Sequence, residues 1–248
     1  MTLPRVLVVR SGANPFALIP TAAGVEVVER ASHTISPLDV AVSTFDRPAE
    51  LVIFTSQVSV ERLLSDDRLA PRLRSAIAGG RVVSVGRSTE AALRRHGLPP
   101  QVVARGSGES ILDCLPSRLE GVHVILPRAE DATPELPEGL TRRGAEVTLV
   151  AVYRKVPVPP DGDLARQIVD RPFRAFCVTS PSAAAWLFGG LTEEAARRLR
   201  ETPAVVLGRY TRRYLEFRGI ARISVTDSPR FDAAARMLET LARVPPAQ

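Results

Sequence analysis

The feature that most limits what this chain can fold into is that it repeats itself. Leu51-Val-Ile-Phe-Thr55-Ser56 returns 124 positions later as Ala175-Phe-Cys-Val-Thr179-Ser180, and Leu63 recurs at that offset as Leu187. A stricter block follows, in which Val85-Gly86-x-x-Thr89-x-x-x-Leu93-x-x-x-Gly97 becomes Leu207-Gly208-x-x-Thr211-x-x-x-Leu215-x-x-x-Gly219, every pair 122 apart. Earlier in each half, Gly24-Val-Glu-Val matches Gly144-Ala-Glu-Val at 120, and Arg10 ends a strand much as Arg128 does at 118. Offsets that drift by so little indicate duplication with small loop insertions, so two similar lobes are expected.

Each lobe is expected to be α/β. Short β-branched runs (Val6 to Val9, Val25 to Val28, Leu51 to Phe54, Val82 to Val85, Val102 to Val103, Val122 to Leu126, Val147 to Val152, Ala175 to Val178, Ala204 to Leu207, Ile223 to Val225) alternate with helical patterns. The helix candidates include Val58 to Leu64, Ser88 to His96, Ser110 to Leu119, Ser182 to Phe188, Glu193 to Arg200, Thr211 to Arg218 and Phe231 to Arg243. Alternation of this kind points to parallel sheets. Several helices carry a Ser or Thr before the apolar stripe and Gly97 or Gly219 after it, the usual start and stop signals.

Composition narrows the classes of function. With 248 residues, 45% hydrophobic and 24% charged, the chain reads as globular, and a chain this long buries roughly 70 to 75% of its unfolded surface. No apolar run reaches the roughly 18 to 20 residues of a membrane span, and the first ten residues lack signal-peptide zones, so a cytoplasmic protein is expected. Cys114 and Cys177 do not fit a zinc spacing, and His33, His96 and His123 lie far apart; no metal is expected, and both thiols are expected to be buried and inert. The charge of +6 is almost all arginine, since Lys155 is the only lysine. That balance favours an acidic partner, while the absence of any long basic run or RNA-binding aromatic motif argues against nucleic acid. Gly106-Ser-Gly108 lacks the third glycine of a dinucleotide fingerprint, no lysine stands in a phosphate-loop context, and no Ser–His triad is visible. No cofactor is implied.

The repeated turns are where chemistry is expected. In doubly wound folds ligands bind at the carboxyl ends of the strands, and duplicated lobes are expected to leave a cleft between them. Thr55-Ser56 and Thr179-Ser180 each end a strand and start a helix, and Gly86 and Gly208 do so one strand later, with Thr89 and Thr211 at or near the caps. Free N–H groups at such helix starts accept anions. Arg10, Arg87, Arg128 and Arg209 sit at or beside the same strand ends and could add bidentate contacts, which suits a ligand with several carboxylates. Tyr153 closes a strand just before Arg154-Lys155 and a proline-rich stretch at Pro157, Pro159 and Pro160; its repeat partner is His33, 120 residues earlier. A phenol there is an uncharged O–H donor at neutral pH, better placed to give a proton than to take one.

With these blocks in hand the sequence resembles the uroporphyrinogen-III synthase family. The matching residues are Val6 to Arg10, Phe54-Thr-Ser56, Val85-Gly-Arg-Ser-Thr89 with Leu93 and Gly97, Gly144-Ala-Glu-Val with Val152-Tyr153, Thr179-Ser-Pro-Ser182, and Gly208-x-x-Thr211 with Gly219. The resemblance implies two flavodoxin-like lobes joined by a pair of linker strands: residues 1–32 with 158–248 in one, 37–150 in the other, and linkers at 31–36 and 151–157. It also implies that hydroxymethylbilane, a linear tetrapyrrole with eight carboxylates, is closed to uroporphyrinogen III with inversion of ring D and loss of water. Tyr153 matches the favoured proton donor. Arg10, Thr55, Ser56, Gly86, Arg87, Ser88, Thr89, Arg128, Ser180, Ser182, Gly208, Arg209 and Thr211 fall where substrate would bind. A monomer is expected, with transient handover of substrate from the deaminase that makes it. The sequence departs from the family around Arg128, where Ala129-Glu-Asp131 replaces glycines, and after Thr211, where Arg212 replaces a small residue. A synthase-like module that binds a tetrapyrrole without turning it over, and a basic nucleic-acid-binding protein, remain the competing readings.

Overall fold

The computed structural model describes residues 3–10, 12, 24–104, 110–159, 162–227 and 231–244; Gly106 to Gly108 and Pro160 lie outside the described residues. The chain opens with strands β1 (Arg5–Arg10) and β2 (Glu26–Ala31), then β3 (His33–Pro37), and a 3-10 turn at Val42–Phe45 leads into β4 (Leu51–Phe54). Helices α1 (Gln57–Leu64) and α2 (Leu69–Ala76), strand β5 (Arg81–Val85), helix α3 (Gly86–Arg95), strand β6 (Val102–Ala104) and the single turn α4 (Ser110–Asp113) follow. Next come β7 (His123–Ala129), α5 (Glu135–Arg142) and the long β8 (Glu146–Pro157). The remainder is α6 (Gly162–Asp170), β9 (Ala175–Val178), α7 (Pro181–Gly189), α8 (Glu193–Glu201), β10 (Ala204–Val206), α9 (Arg209–Phe217), β11 (Ile223–Val225) and α10 (Phe231–Arg243).

These elements divide into two compact units, Met1–Ile35 with Val156–Gln248, and Ser36–Lys155. The chain leaves the first unit within β3 and re-enters it within β8. The first unit holds a five-stranded sheet in the order β2-β1-β9-β10-β11, with parallel pairings throughout. Counted along the chain within the unit, that order is 2-1-3-4-5, the flavodoxin-like arrangement. In the second unit the sheet runs β3-β8-β7-β4-β5-β6, with parallel pairing from β8 to β6. Apart from β3 at its edge, the sheet shows the same 2-1-3-4-5 order if β7 is counted as the first strand, so after β3 the chain begins this core at its third strand, β4. Both units are doubly wound α/β with parallel sheets.

Central strands of such sheets are covered on both faces and therefore read as continuous apolar runs. All six residues of β1 are buried. Leu7 and Val9 point with Phe176, Val178 and Val206 into one layer, beside Ala183, Leu187 and Leu215. Val6 and Val8 point with Ala175, Cys177 and Val205 into the other, beside Ala234 and Leu238 of α10. In the second unit Leu51, Ile53, Val83, Val124 and Leu126 pack with Ile111, Leu136 and Leu140. The period of two along each strand thus sorts its residues between two helical layers.

Some elements differ from the sequence expectation. The helix expected over Ser110 to Leu119 ends at Asp113. Pro116 cannot continue it, because its ring removes a donor and clashes with the preceding turn. Cys114 falls just past that end and is exposed, which corrects its expected burial; Cys177 in β9 is buried. Helices α2 and α5 carry good stripes (Leu69, Leu73, Ala76; Leu136, Leu140) masked by Pro71 and Pro137. Both prolines occupy the first turn, where a missing N–H removes no intrahelical bond. Among the described residues no helix is long and apolar enough to cross a membrane.

Candidate functional site

In each unit the strand order reverses once, between β1 and β9 in the first and between β7 and β4 in the second. The carboxyl edge at such a reversal is the usual ligand position of a doubly wound sheet. The repeated motifs occupy that edge in both units.

In the second unit, β4 ends at Phe54 and the chain passes through half-buried Thr55 to Ser56. Ser56 is extended (φ −145°, ψ 145°) and caps α1, its Oγ accepting the Ser59 N–H at 3.1 Å. The Ser56 and Ser59 hydroxyls lie 2.9 Å apart, and the Tyr153 hydroxyl donates to Ser56 Oγ at 3.4 Å. Tyr153 is 7% exposed. A break in strand register puts it there. Arg128 pairs with Ala151 but Ala129 pairs with Tyr153, so Val152 is an extra residue in β8. Leu149 and Ala151 are exposed, and simple alternation would carry Tyr153 to their face. The bulge re-aims it inward, the common service of a bulge beside a functional site. Its carbonyl accepts the Glu130 N–H at 2.8 Å, while Arg154 and Lys155 pair with Glu130 at 3.0 Å and Asp131 at 3.3 Å.

One strand further, Gly86 begins α3 with φ +73° and no side-chain cap precedes it. Arg87 and Ser88 are exposed, and Arg87 has no ion pair among the described residues. Thr89 is 2% exposed and lies inside the first turn of α3, on the same face as Leu93. Thr89 is thus near the helix start and not the cap itself: the helix begins at Gly86, so the threonine is buried and the turn offers backbone N–H groups. Arg128 is 8% exposed, and its Nη2 donates to the Thr133 carbonyl at 2.8 Å. Glu135 lies close by, its carboxyl held below the usual range first by the Thr133 hydroxyl and, more weakly, by the Arg128 charge.

The first unit repeats the plan with different chemistry. Ser180 (φ −158°, ψ 163°) caps α7 by accepting the Ala183 N–H at 3.1 Å, Pro181 stands in the first turn, and Ser180 Oγ lies 2.9 Å from that of exposed Ser182. Gly208 caps α9 with φ −171°, an extended conformation open to any residue, unlike Gly86. Arg209 is exposed, its guanidinium 5.1 Å from the Tyr210 ring centroid. Thr211, at 4% exposure, is buried within the first turn like Thr89 and is likewise no cap. Arg10 is 8% exposed, ion-paired with Glu29 on β2 and 5.9 Å from the Phe231 ring centroid. His33, the repeat partner of Tyr153, has its Nδ1 3.1 Å from Ser32 Oγ. Among the described residues no group of three His, Cys, Asp or Glu gathers as a metal site.

The structure therefore brings Tyr153 to Ser56 and Ser182 to Ser180, leaves Arg87, Ser88 and Arg209 exposed, and gives Arg10 and Arg128 partners of their own. Sequence reading missed Ser59, which carries no motif, and the bulge at Val152, which shows only against the register of β7. What the fold and these edges define is a protein of two doubly wound units, with helix starts carrying free backbone N–H groups at both sheet edges and a nearly buried phenol at one.

Comparison with known proteins gives that class a family. The family model described as "Uroporphyrinogen-III synthase HemD" matches residues 17–236. A provisionally assigned uroporphyrinogen-III synthase of Methanothermobacter thermautotrophicus is 33% identical over 185 residues, 71% of this chain and 72% of the relative. The fold is similar to that of a mutant Thermus thermophilus uroporphyrinogen III synthase (TM-score 0.66, 21% identity, 95% of this chain and 98% of that one). It is also similar to the Helicobacter pylori synthetase (TM-score 0.61, 19% identity, 94% and 98%). The chain belongs to the uroporphyrinogen-III synthase family.

Proposed function

We propose that this chain closes hydroxymethylbilane to uroporphyrinogen III, inverting ring D and releasing water. Family membership supports the reaction, and the observation that carries its chemistry is Tyr153, nearly buried at a sheet edge with its hydroxyl only loosely held on Ser56 at 3.4 Å. A bond that long leaves the phenol free to turn to a ligand, as catalytic groups often are before substrate binds.

In this reading the Tyr153 O–H gives its proton to the departing hydroxymethyl oxygen. The C–O bond breaks with its electron pair on oxygen, water leaves, and an electrophilic azafulvene remains. Ring D attacks through its substituted carbon, the spiro intermediate fragments, and reclosure gives the asymmetric macrocycle. The carbon that finally loses a proton returns it, so the tyrosine ends as it began. The pyrroles supply the electrons; the protein positions them and assists the leaving group.

Backbone N–H groups at the starts of α1, α3, α7 and α9, with exposed Arg87 and Arg209, suit the substrate carboxylates. Arg10 and Arg128 are better suited to holding their strand ends, since each already has an internal partner. The enzyme is read as a monomer that takes substrate from the deaminase producing it.

The test is a coupled assay in which that deaminase makes hydroxymethylbilane in place and the oxidised porphyrins are separated into isomers. Isomer III is expected. Isomer I alone, from a folded sample, would favour a tetrapyrrole-binding module without turnover. Tyr153→Phe should lower turnover on the order of 10²-fold, the usual scale of a general acid, with thermal unfolding unchanged; undiminished turnover removes Tyr153 from the chemistry.

A further inference from the structure

The hydroxyl behind the tyrosine's partner has no role in the reaction as described so far. Ser59 is fully buried in α1, at 0% exposure, with its Oγ 2.9 Å from that of Ser56. Burying a hydroxyl costs free energy unless a hydrogen bond compensates, and here the partner is Ser56 Oγ. The first unit shows that the fold does not require it: 124 positions on, at the matching place in α7, stands Ala183, also at 0% exposure. The extra hydroxyl occurs in the unit that carries Tyr153.

With Tyr153 as the donor to Ser56, proton counting gives the direction of the rest of the chain. Ser56 Oγ has two lone pairs and one proton. The pairs accept from the Ser59 N–H at 3.1 Å and from the Tyr153 hydroxyl at 3.4 Å, so the Ser56 proton points at Ser59 Oγ. The resting order is Tyr153 to Ser56 to Ser59.

Resting on the synthase reading, we infer that Ser59 is a positioning residue for Tyr153, acting through Ser56 by reversal of this hydrogen-bond chain. When Tyr153 gives its proton to the leaving oxygen, the phenolate oxygen becomes an acceptor. Ser56 then turns its proton to Tyr153, and Ser59 turns its own to Ser56 Oγ. No bond to hydrogen breaks in either serine; two hydroxyls rotate, and the negative charge gains a donor backed by a second donor. Return of the proton to Tyr153 restores the resting order. Such coupled hydroxyls strengthen one another in a site away from water.

The experiment is a double-mutant cycle on the full chain, read in the coupled isomer assay. Ser59→Ala keeps the Ser56 cap and is expected to lower kcat for isomer III about tenfold, with KM and thermal midpoint unchanged. In the Tyr153→Phe background the same change is expected to have no further effect, since no phenolate forms. Ser59→Cys, with a weak donor in a similar volume, should fall between the parent and Ser59→Ala, and it serves as the readout if the alanine variant does not fold. Unchanged kcat in Ser59→Ala, or an equal loss with and without the tyrosine hydroxyl, overturns the inference. A parent that makes only isomer I overturns the synthase reading itself, before any variant is compared.

Discussion

The two Gly-x-x-Thr turns look equivalent in sequence, and replacing each glycine by alanine should show that they are not. At Gly86 φ is +73°, in the left-handed region, and no heavy atom lies within 4 Å of where a Cβ would sit. The cost is therefore purely of the backbone, about 1 to 2 kcal/mol for an L-residue there. Alanine also restricts the unfolded chain, which returns roughly 0.4 to 1 kcal/mol, leaving a net loss of about 1 kcal/mol. At Gly208 φ is −171° and the space is equally open. No strain arises, and the unfolded-state gain offsets the poorer capping of alanine, leaving a change within about 0.5 kcal/mol of zero. The two variants should thus differ by roughly fivefold in folding equilibrium, on the scale of 1.4 kcal/mol per decade. Urea unfolding followed by far-ultraviolet circular dichroism measures both, with the single tryptophan, Trp186, reporting the first unit separately. Equal destabilisation of the two variants would refute the argument.

Other expectations follow from burial and charge. A thiol reagent should label Cys114 in the native protein and Cys177 only after unfolding, as counted by mass spectrometry. Burial pushes the Cys177 thiol up to about 12 from the ordinary 9.0, so the native state keeps it neutral while the unfolded chain ionises. Its contribution is complete below the unfolded value and is lost as pH rises between those limits; Cys177→Ala should flatten that alkaline loss in urea titrations. Glu61 lies under a desolvation that pushes its carboxyl up, but hydrogen bonds from His96 at 2.8 Å and Arg95 at 2.6 Å hold it below its usual range. Its stabilisation is present above the unfolded value and disappears as pH falls through the lowered folded one. Glu61→Gln should therefore lose stability near pH 7 yet approach the parent in acid, a difference that pH-dependent thermal melts would detect.

Much of this protein is legible along one dimension. The runs Leu51–Phe54, Ala175–Val178 and Ile223–Val225 and the stripe Phe231–Arg243 declare strands and a helix because burial on two faces, or on one, imposes a period that survives in the residues themselves. Motifs in a set order were enough to place the chain beside its family. Contacts across large sequence separations were not available to that reading. That β7, not β4, stands first in the order of the second sheet depends on which strands share hydrogen bonds. That Gly86 is left-handed while Gly208 is extended depends on how each strand delivers the chain to its helix. The same applies to Tyr153: a residue of a strand with an exposed Leu149 before it is turned inward by one extra residue, Val152, whose presence shows only against the register of β7. Ser59 carries no motif, and it is linked to a tyrosine 94 positions away only when the fold brings that tyrosine to the cap in front of it. Local periodicity determined the elements and ordered motifs the family; pairing and register, which are properties of folded neighbours, decided which side chains meet.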